Sequence, residues 1–382
     1  MFAQLATLLE NEKPGAAVVN LSVGDPRGSV PGFVTEALQT HAHQFGEYPP
    51  INGTAEWRQA AAGWIGRRFG VALDAETQVL PLNGTREGLF LAPFTVVPES
   101  KAGARPVILL PNPFYQCYAA AILAAGAEPV FVATGGDFLP DYGGLSKAVL
   151  ERTVAAYICS PSNPEGAAAD EAYWRNLFAL ADRYGFTVFA DECYADIYFD
   201  RKPMGALSAR AAQSGGVIRL LTFHSLSKRS CLPGLRSGIV AGDANMLATF
   251  RQFRNYAAPQ VPMPIMAASA AAWNDEEHVI ANRATYAARF AAARDVLGNR
   301  MRMPDGGFFL WLDVGDGEAA ALRLWREAGI RTLPGAYMGR ETEAGKARSN
   351  PGFSYLRVAL VSDLSTIRTA LARMGEILSA NP

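Results

Sequence analysis

The chain has 382 residues, 49% of them apolar, enough to bury one large core and a smaller second one. Lys plus Arg (35) nearly cancel Asp plus Glu (36), which removes the basic footprint of a nucleic-acid or polybasic membrane binder and leaves small molecules as the expected partners. No stretch reaches the roughly 18 uninterrupted apolar residues of a bilayer span, and the start, MFAQLATLLENEKPG, lacks a basic segment followed by a long apolar core.

In chain order, short apolar runs ending in polar or Gly/Pro-rich loops alternate with longer helical patterns, as a mostly parallel sheet covered by helices requires. Expected strands are Val79 to Leu82, Val107 to Leu110, Pro129 to Val132, Ala155 to Cys159, Thr187 to Ala190, Arg219 to Phe223 and Gly238 to Ala241. After about Asp243 the pattern turns to long helices, including Glu276 to Leu297, and then to short strands near Phe308 to Val314 and Leu356 to Leu360. The expected fold class is α/β, with a large domain at 41–250 and a smaller α+β domain formed by 251–382 with the N-terminal segment 1–40. Four scattered cysteines, Cys117, Cys159, Cys193 and Cys231, show neither metal-ligand spacing nor disulfide density, so no metal is expected and a reducing cytoplasm fits.

Ligands of open α/β sheets collect beyond the carboxyl ends of the strands, so the polar loops there should converge. In VLPLNGTREGLF a strand passes through Asn83 and Gly84 into a helix expected from Thr85, whose free N–H groups and close approach at Gly84 suit a phosphate. In LLPNPFYQCY, Tyr115 lies just past a strand end, a place where an aromatic is more often packing. ICSPSNPEGAAA sets Asn163 before Pro164, which by itself is ordinary turn chemistry. TVFADECYADIY carries apolar residues straight into Asp191 and Glu192, with Tyr194 three positions on; Asp191 could equally cap a helix or pair with an arginine.

The richest segment is TFHSLSKRSCLPGLRSG. Alone, Lys228 reads as a solvated lysine, but Ser225, Ser227, Arg229 and Arg236 offer phosphate-binding groups around it. Positive neighbours would also depress its pKa and keep the amine nucleophilic.

Taken in this order, Asn163, Asp191, Tyr194, Lys228 and Arg236 resemble the class I/II aminotransferases, pyridoxal-phosphate enzymes of the aspartate-aminotransferase fold (fold type I), over nearly the whole chain. SLSKRSCLPGLRSG, with an arginine eight positions after the lysine, is the most specific part, and DECY strengthens it. The resemblance implies a PLP-dependent transferase fold and pyridoxal 5'-phosphate held as a Schiff base at Lys228, which also moves the substrate proton. It implies Asp191 against the pyridine nitrogen, Asn163 and Tyr194 at the ring oxygen, and Tyr115 stacked on the ring. Gly84, Thr85, Ser225 and Arg236 would hold the phosphate, with Arg86 as a further contact.

Outside the central region, Arg357 in YLRVAL resembles the arginine that grips the substrate α-carboxylate, although a salt bridge at a strand edge is its plainer reading. Gly24 in LSVGDP resembles the glycine that closes over the substrate, and Tyr48 in GEYPPINGTAEWR the tyrosine that reaches the cofactor phosphate of the partner subunit, which implies a homodimer with a shared active site.

SKRSCLPGLRSGIVAGD, WNDEEHVIANR and PDGGFFLWL are similar to succinyldiaminopimelate aminotransferases of bacterial lysine biosynthesis, which implies glutamate as donor and ping-pong exchange between an amino acid and a 2-oxo acid. The chain departs from a common family pattern in reading SPSNPEG where many members have NPTG. A carbon–sulfur β-lyase on the same fold is the neighbouring alternative. A non-catalytic regulatory protein is the more distant one, disfavoured because no segment is spare for a DNA-binding module.

Overall fold

The computed structural model describes residues 1–379. Its centre is a sheet of seven strands, β1 (Val79–Leu82), β2 (Val107–Asn112), β3 (Glu128–Ala133), β4 (Thr153–Cys159), β5 (Thr187–Asp191), β6 (Leu220–Ser225) and β7 (Gly238–Gly242), in the order β1-β7-β6-β5-β4-β2-β3. Only β7 runs against the others, pairing antiparallel with β1 and β6. The strands are near-continuous apolar runs because both faces are covered. Val107 and Leu109 enter the core on one face with Trp57, Trp64, Trp174 and Phe178, whereas Ile108 and Leu110 enter the opposite core with Tyr118, Tyr157 and Phe250.

The covering helices carry local start and stop signals. Asp170 accepts from Tyr173 N at 2.8 Å to cap Glu171–Tyr184, and Gly185 ends that helix at φ +66°, a conformation costly for a residue with a Cβ. Thr54 likewise caps Ala55–Phe69 through Trp57 N.

A second unit stands beside this sheet. Its three strands, Leu333–Pro334, Tyr355–Ala359 and Phe309–Asp313, pair antiparallel, and apolar side chains of the last two meet Phe290, Leu324 and Leu371 of the helices Glu277–Leu297, Gly317–Ala328 and Leu364–Ser379. Val19–Asn20 adds to it by pairing parallel with Ile330–Arg331. The helix Met263–Asn274, which the division at 250 would give to this unit, instead packs on Gly32–Thr40 and Ala55–Phe69 and puts Met266, Ala268 and Trp273 into the core of the large sheet. We propose that the larger unit includes Gly32–Thr40 and runs to about Asn274. Among the described residues no helix is long and apolar enough to cross a membrane.

Candidate active site

The parallel strands end at one edge of the sheet, and reversal of β7 brings the residues before it to that same edge. Gly238 pairs with both Ser225 and Leu82, so Arg236 lands beside Gly84. Arg236 Nη2 donates to Asn83 O at 3.2 Å, and a Cβ built on Gly84, which sits at φ +82°, would run into the Arg236 guanidinium. Glycine here lets the arginine lie against the turn.

These loops and the second unit enclose a cavity of about 320 Å³. Lys228, on the one-turn helix Leu226–Arg229, projects into it and donates to Gly24 O at 2.9 Å, with its ammonium 5.3 Å from the centre of the Phe308 ring. Burial is the main force that lowers the Lys228 pKa; the expected positive neighbour contributes, but it is Arg357 and not Arg229. Arg229 turns the other way. It pairs with Asp196 at 2.9 Å and donates to Ala272 O, so the expectation that it serves a phosphate is corrected: its guanidinium is committed inside the protein.

Asp191 ends β5 buried. Its Oδ2 accepts from Tyr118 OH at 2.6 Å and its Oδ1 from Cys193 N at 3.2 Å, which makes a tight turn of the chain and neither caps a helix nor meets an arginine. Burial pushes the carboxyl up while the bonds from Cys193 and Tyr118 pull it down, so the anion is best served by a cation brought into the cavity. Tyr118 is a residue of this site that motif reading missed. It lies one helical turn past Tyr115 on Gln116–Ala124 and stacks on Tyr157 at 4.4 Å, and that spacing from a strand-end aromatic was its only signal.

Arg357 reaches the cavity from the second unit. It is buried, donates to Asn163 Oδ1 at 3.1 Å and Ser22 O at 2.8 Å, lies 4.3 Å over the Phe309 ring, and has no acidic partner among the described residues. Burial pushes its pKa down to about 10, opposed by Tyr194. The plainer reading as a salt bridge at a strand edge therefore does not hold. Tyr194 lines the same wall, edge-on to Phe308 and Phe309, its phenol pushed well above the ordinary range by burial.

On the opposite side Thr85 Oγ1 sits 3.1 Å from Cys193 Sγ, and Ser225 accepts from Ser227 N, which leaves the Ser225 proton free to donate. Arg86 turns from the turn at Gly84 to donate to Tyr115 OH at 2.6 Å. The helix that follows, Thr85–Leu91, is short. Tyr48 is fully exposed and does not line the cavity of its own chain. A buried carboxylate, a buried amine, hydroxyls with an arginine at a glycine turn, and an unmatched guanidinium fit a ligand that is cationic at one end and anionic at two others.

The family model for aminotransferase class I and II matches residues 16–373. The chain is a class I/II aminotransferase. It is similar to the 4-dedimethylamino-4-oxo-anhydrotetracycline transaminase OxyQ of Streptomyces rimosus, 34% identical over 96% of this chain and 97% of that one. It is also similar to an LL-diaminopimelate aminotransferase of Syntrophobacter fumaroxidans, 31% identical over 95% of this chain and 92% of the other. An aminotransferase structure from Neisseria meningitidis superposes with a TM-score of 0.93 at 41% identity, covering 98% of this chain and 96% of that chain. This aminotransferase is accordingly a pyridoxal-phosphate-dependent transaminase with the fold type I architecture, and the residues around its cavity fit that group.

Proposed function

We propose that this aminotransferase passes the amino group of glutamate to a longer, carboxylated 2-oxo acid, N-succinyl-2-amino-6-oxopimelate of lysine biosynthesis, with Lys228 as the group that moves the proton. The observation that carries the reading is Arg357. A buried guanidinium with no acid beside it, opening on the cavity that holds the lysine, is matched by the α-carboxylate common to every amino acid and 2-oxo acid. The choice of acceptor is supported by the resemblance of the segments around Lys228, Asp275 and Phe309 and by relatives named for diaminopimelate.

When bound, the cofactor supplies the electron sink that takes up the pair left as the substrate Cα–H bond breaks. Lys228 holds the cofactor covalently at rest and, once displaced by substrate, takes the Cα proton on Nζ; burial favours the neutral amine it needs. Asp191, held by Tyr118 and Cys193, would keep the ring nitrogen protonated. Asn163 and Tyr194 would bond the ring oxygen, and Tyr115 would stack on the ring. Gly84, Thr85, Ser225 and Arg236 would hold the phosphate, with Arg86, tied to Tyr115, as a further contact. Gly24, whose carbonyl already meets Lys228, closes over the substrate.

Tyr48, fully exposed in a single copy, would reach the cofactor phosphate of a second copy, so the working unit would be a homodimer. The four free thiols favour a reducing cytoplasm.

Glutamate should convert the coloured enzyme to its pyridoxamine form and release a 2-oxo acid, and the succinylated oxopimelate should restore the colour faster than simpler oxo acids. Borohydride should fix the pyridoxyl group on Lys228. Pyruvate and ammonia formed without transfer of nitrogen would replace transamination by β-elimination, and silence towards glutamate would remove the donor. Sedimentation of the holoenzyme at the mass of a single chain would remove the shared site.

A further inference from the structure

Asp191 and Ser225 face the cofactor cavity, and the residue beside each faces away from it. Successive side chains of a strand point to opposite sides, so His224 of β6 and Glu192, just past β5, are sent together behind the site. Both are buried, and Glu192 Oε2 lies 3.6 Å from His224 Nε2. The other carboxyl oxygen of Glu192 accepts from Ala206 N at 2.9 Å, and His224 Nε2 sits 3.0 Å from Thr222 Oγ1.

Four polar atoms are left over here without a protein partner: Glu192 Oε2, His224 Nδ1, and the indole N–H groups of Trp64 and Trp273. All four residues line one small cavity of about 10 Å³. That is close to the smallest volume that takes one water, and the wall offers both donors and acceptors to it. Native proteins rarely leave such a cluster unbonded. Cys193 and Ser225 line this cavity and the cofactor cavity alike, so a single layer of side chains separates the two.

We propose that this chamber holds one water molecule that joins the Glu192 carboxyl to the His224 imidazole, so that the two share a proton and Glu192 acts as a positioning residue that leaves Asp191 the one uncompensated anion behind the cofactor. The charges that face Glu192 agree. Asp191 is its chain neighbour, Cys193 follows it, and Arg68, the cation whose field favours a Glu192 anion, is paired with Asp196 at 2.9 Å, as is Arg229. Burial pushes Glu192 up to about 8 and His224 down to about 3, which keeps the pair uncharged as a whole at neutral pH. Above about 8 the carboxyl ionises and a second negative charge appears beside Asp191.

Crystals of the holoenzyme grown near neutral pH should show one ordered water within hydrogen-bond reach of Glu192 Oε2. Infrared difference spectra of holoenzyme should carry the carbonyl band of a protonated carboxylic acid that disappears as pH passes about 8 and is absent from Glu192→Gln. The cofactor absorbance of the wild type should shift across the same pH range, and that of Glu192→Gln should not. A chamber without density, or no acid band in the wild type below that pH, overturns the proposal. Both of these measurements use the wild type, so they decide the matter even where the variant fails to fold.

Discussion

The two walls of the cavity are assembled differently. On the side of the large sheet, strand ends contribute close neighbours: Thr85 with Arg86, Asp191 with Cys193 and Tyr194, and Ser225 with Ser227, Lys228 and Arg236. On the other side, residues arrive from remote segments: Met1, Phe2, Val23 and Gly24 from the N-terminal stretch, Phe309 from one small strand, Arg357 from the next. The sheet wall offers several polar groups from few segments, whereas the second wall offers one guanidinium braced by Ser22 O, Asn163 and an aromatic ring. The difference suggests a division of labour, with the chemistry on the first wall and exchangeable substrates on the second.

That division can be tested variant by variant. Lys228→Ala should have the largest effect, a loss of kcat in amino transfer by at least the roughly 10²–10⁴-fold that a general acid–base residue supplies; turnover at the wild-type rate would remove the lysine from the mechanism. Arg357→Lys loses the planar fork. It should raise KM for glutamate and for the oxo acid by roughly 10- to 100-fold, the value of about 1.5–3 kcal/mol for hydrogen bonds to a charged group, with kcat changed much less. If kcat fell and KM held, the contrast between the walls would fail. Tyr118→Phe removes one bond to the Asp191 carboxylate and should lower kcat by about tenfold, measured with saturating substrates.

The smallest effect concerns stability, behind the sheet wall. Glu192 is raised from 4.5 to about 8 in the fold, so the folded state holds its proton more tightly than the unfolded chain does, and that stabilisation is lost as pH rises through about 8. His224 is lowered from 6.5 to about 3; its neutral form stabilises the fold above 6.5, and that contribution is lost as pH falls through about 3. Glu192→Gln cannot ionise. Its thermal midpoint relative to the wild type should therefore climb between about pH 5 and pH 8, and a constant difference across that window would show that Glu192 does not titrate there.

The strands were legible because burial on both faces writes them as apolar runs, and Val79–Leu82 coincides with its expected bounds. Others extend further, β2 to Asn112, β5 to Asp191 and β6 to Ser225, because ladder pairing continues through the polar residue that enters the site. Arg219 was expected to open β6 but stands at φ +54° with its N–H bonded to Asp243, a kink that no apolar pattern records. The two-residue strands at Val19–Asn20, Ile330–Arg331 and Leu333–Pro334 are too short to carry any periodicity.

In the site, Lys228, Asp191, Tyr194, Asn163 and Arg357 do converge on one cavity, as the combination of motifs and the family resemblance led one to expect. Tyr118 and the outward turn of Arg229 were hidden, since a helix face and the partner of a buried charge depend on what packs against them.

By itself the sequence determined which residues end the strands and what chemistry those residues can perform, since hydrophobic periodicity and turn chemistry act over a few neighbours. Tertiary structure alone decided which of two adjacent acids lines the cavity and which lies behind it against a histidine. It also decided that an arginine on a distant strand, with no acidic partner among the described residues, opens on the same cavity as the lysine. Those outcomes depend on burial and on the absence of a counter-charge, properties of a place in the fold that a linear string of residues does not possess.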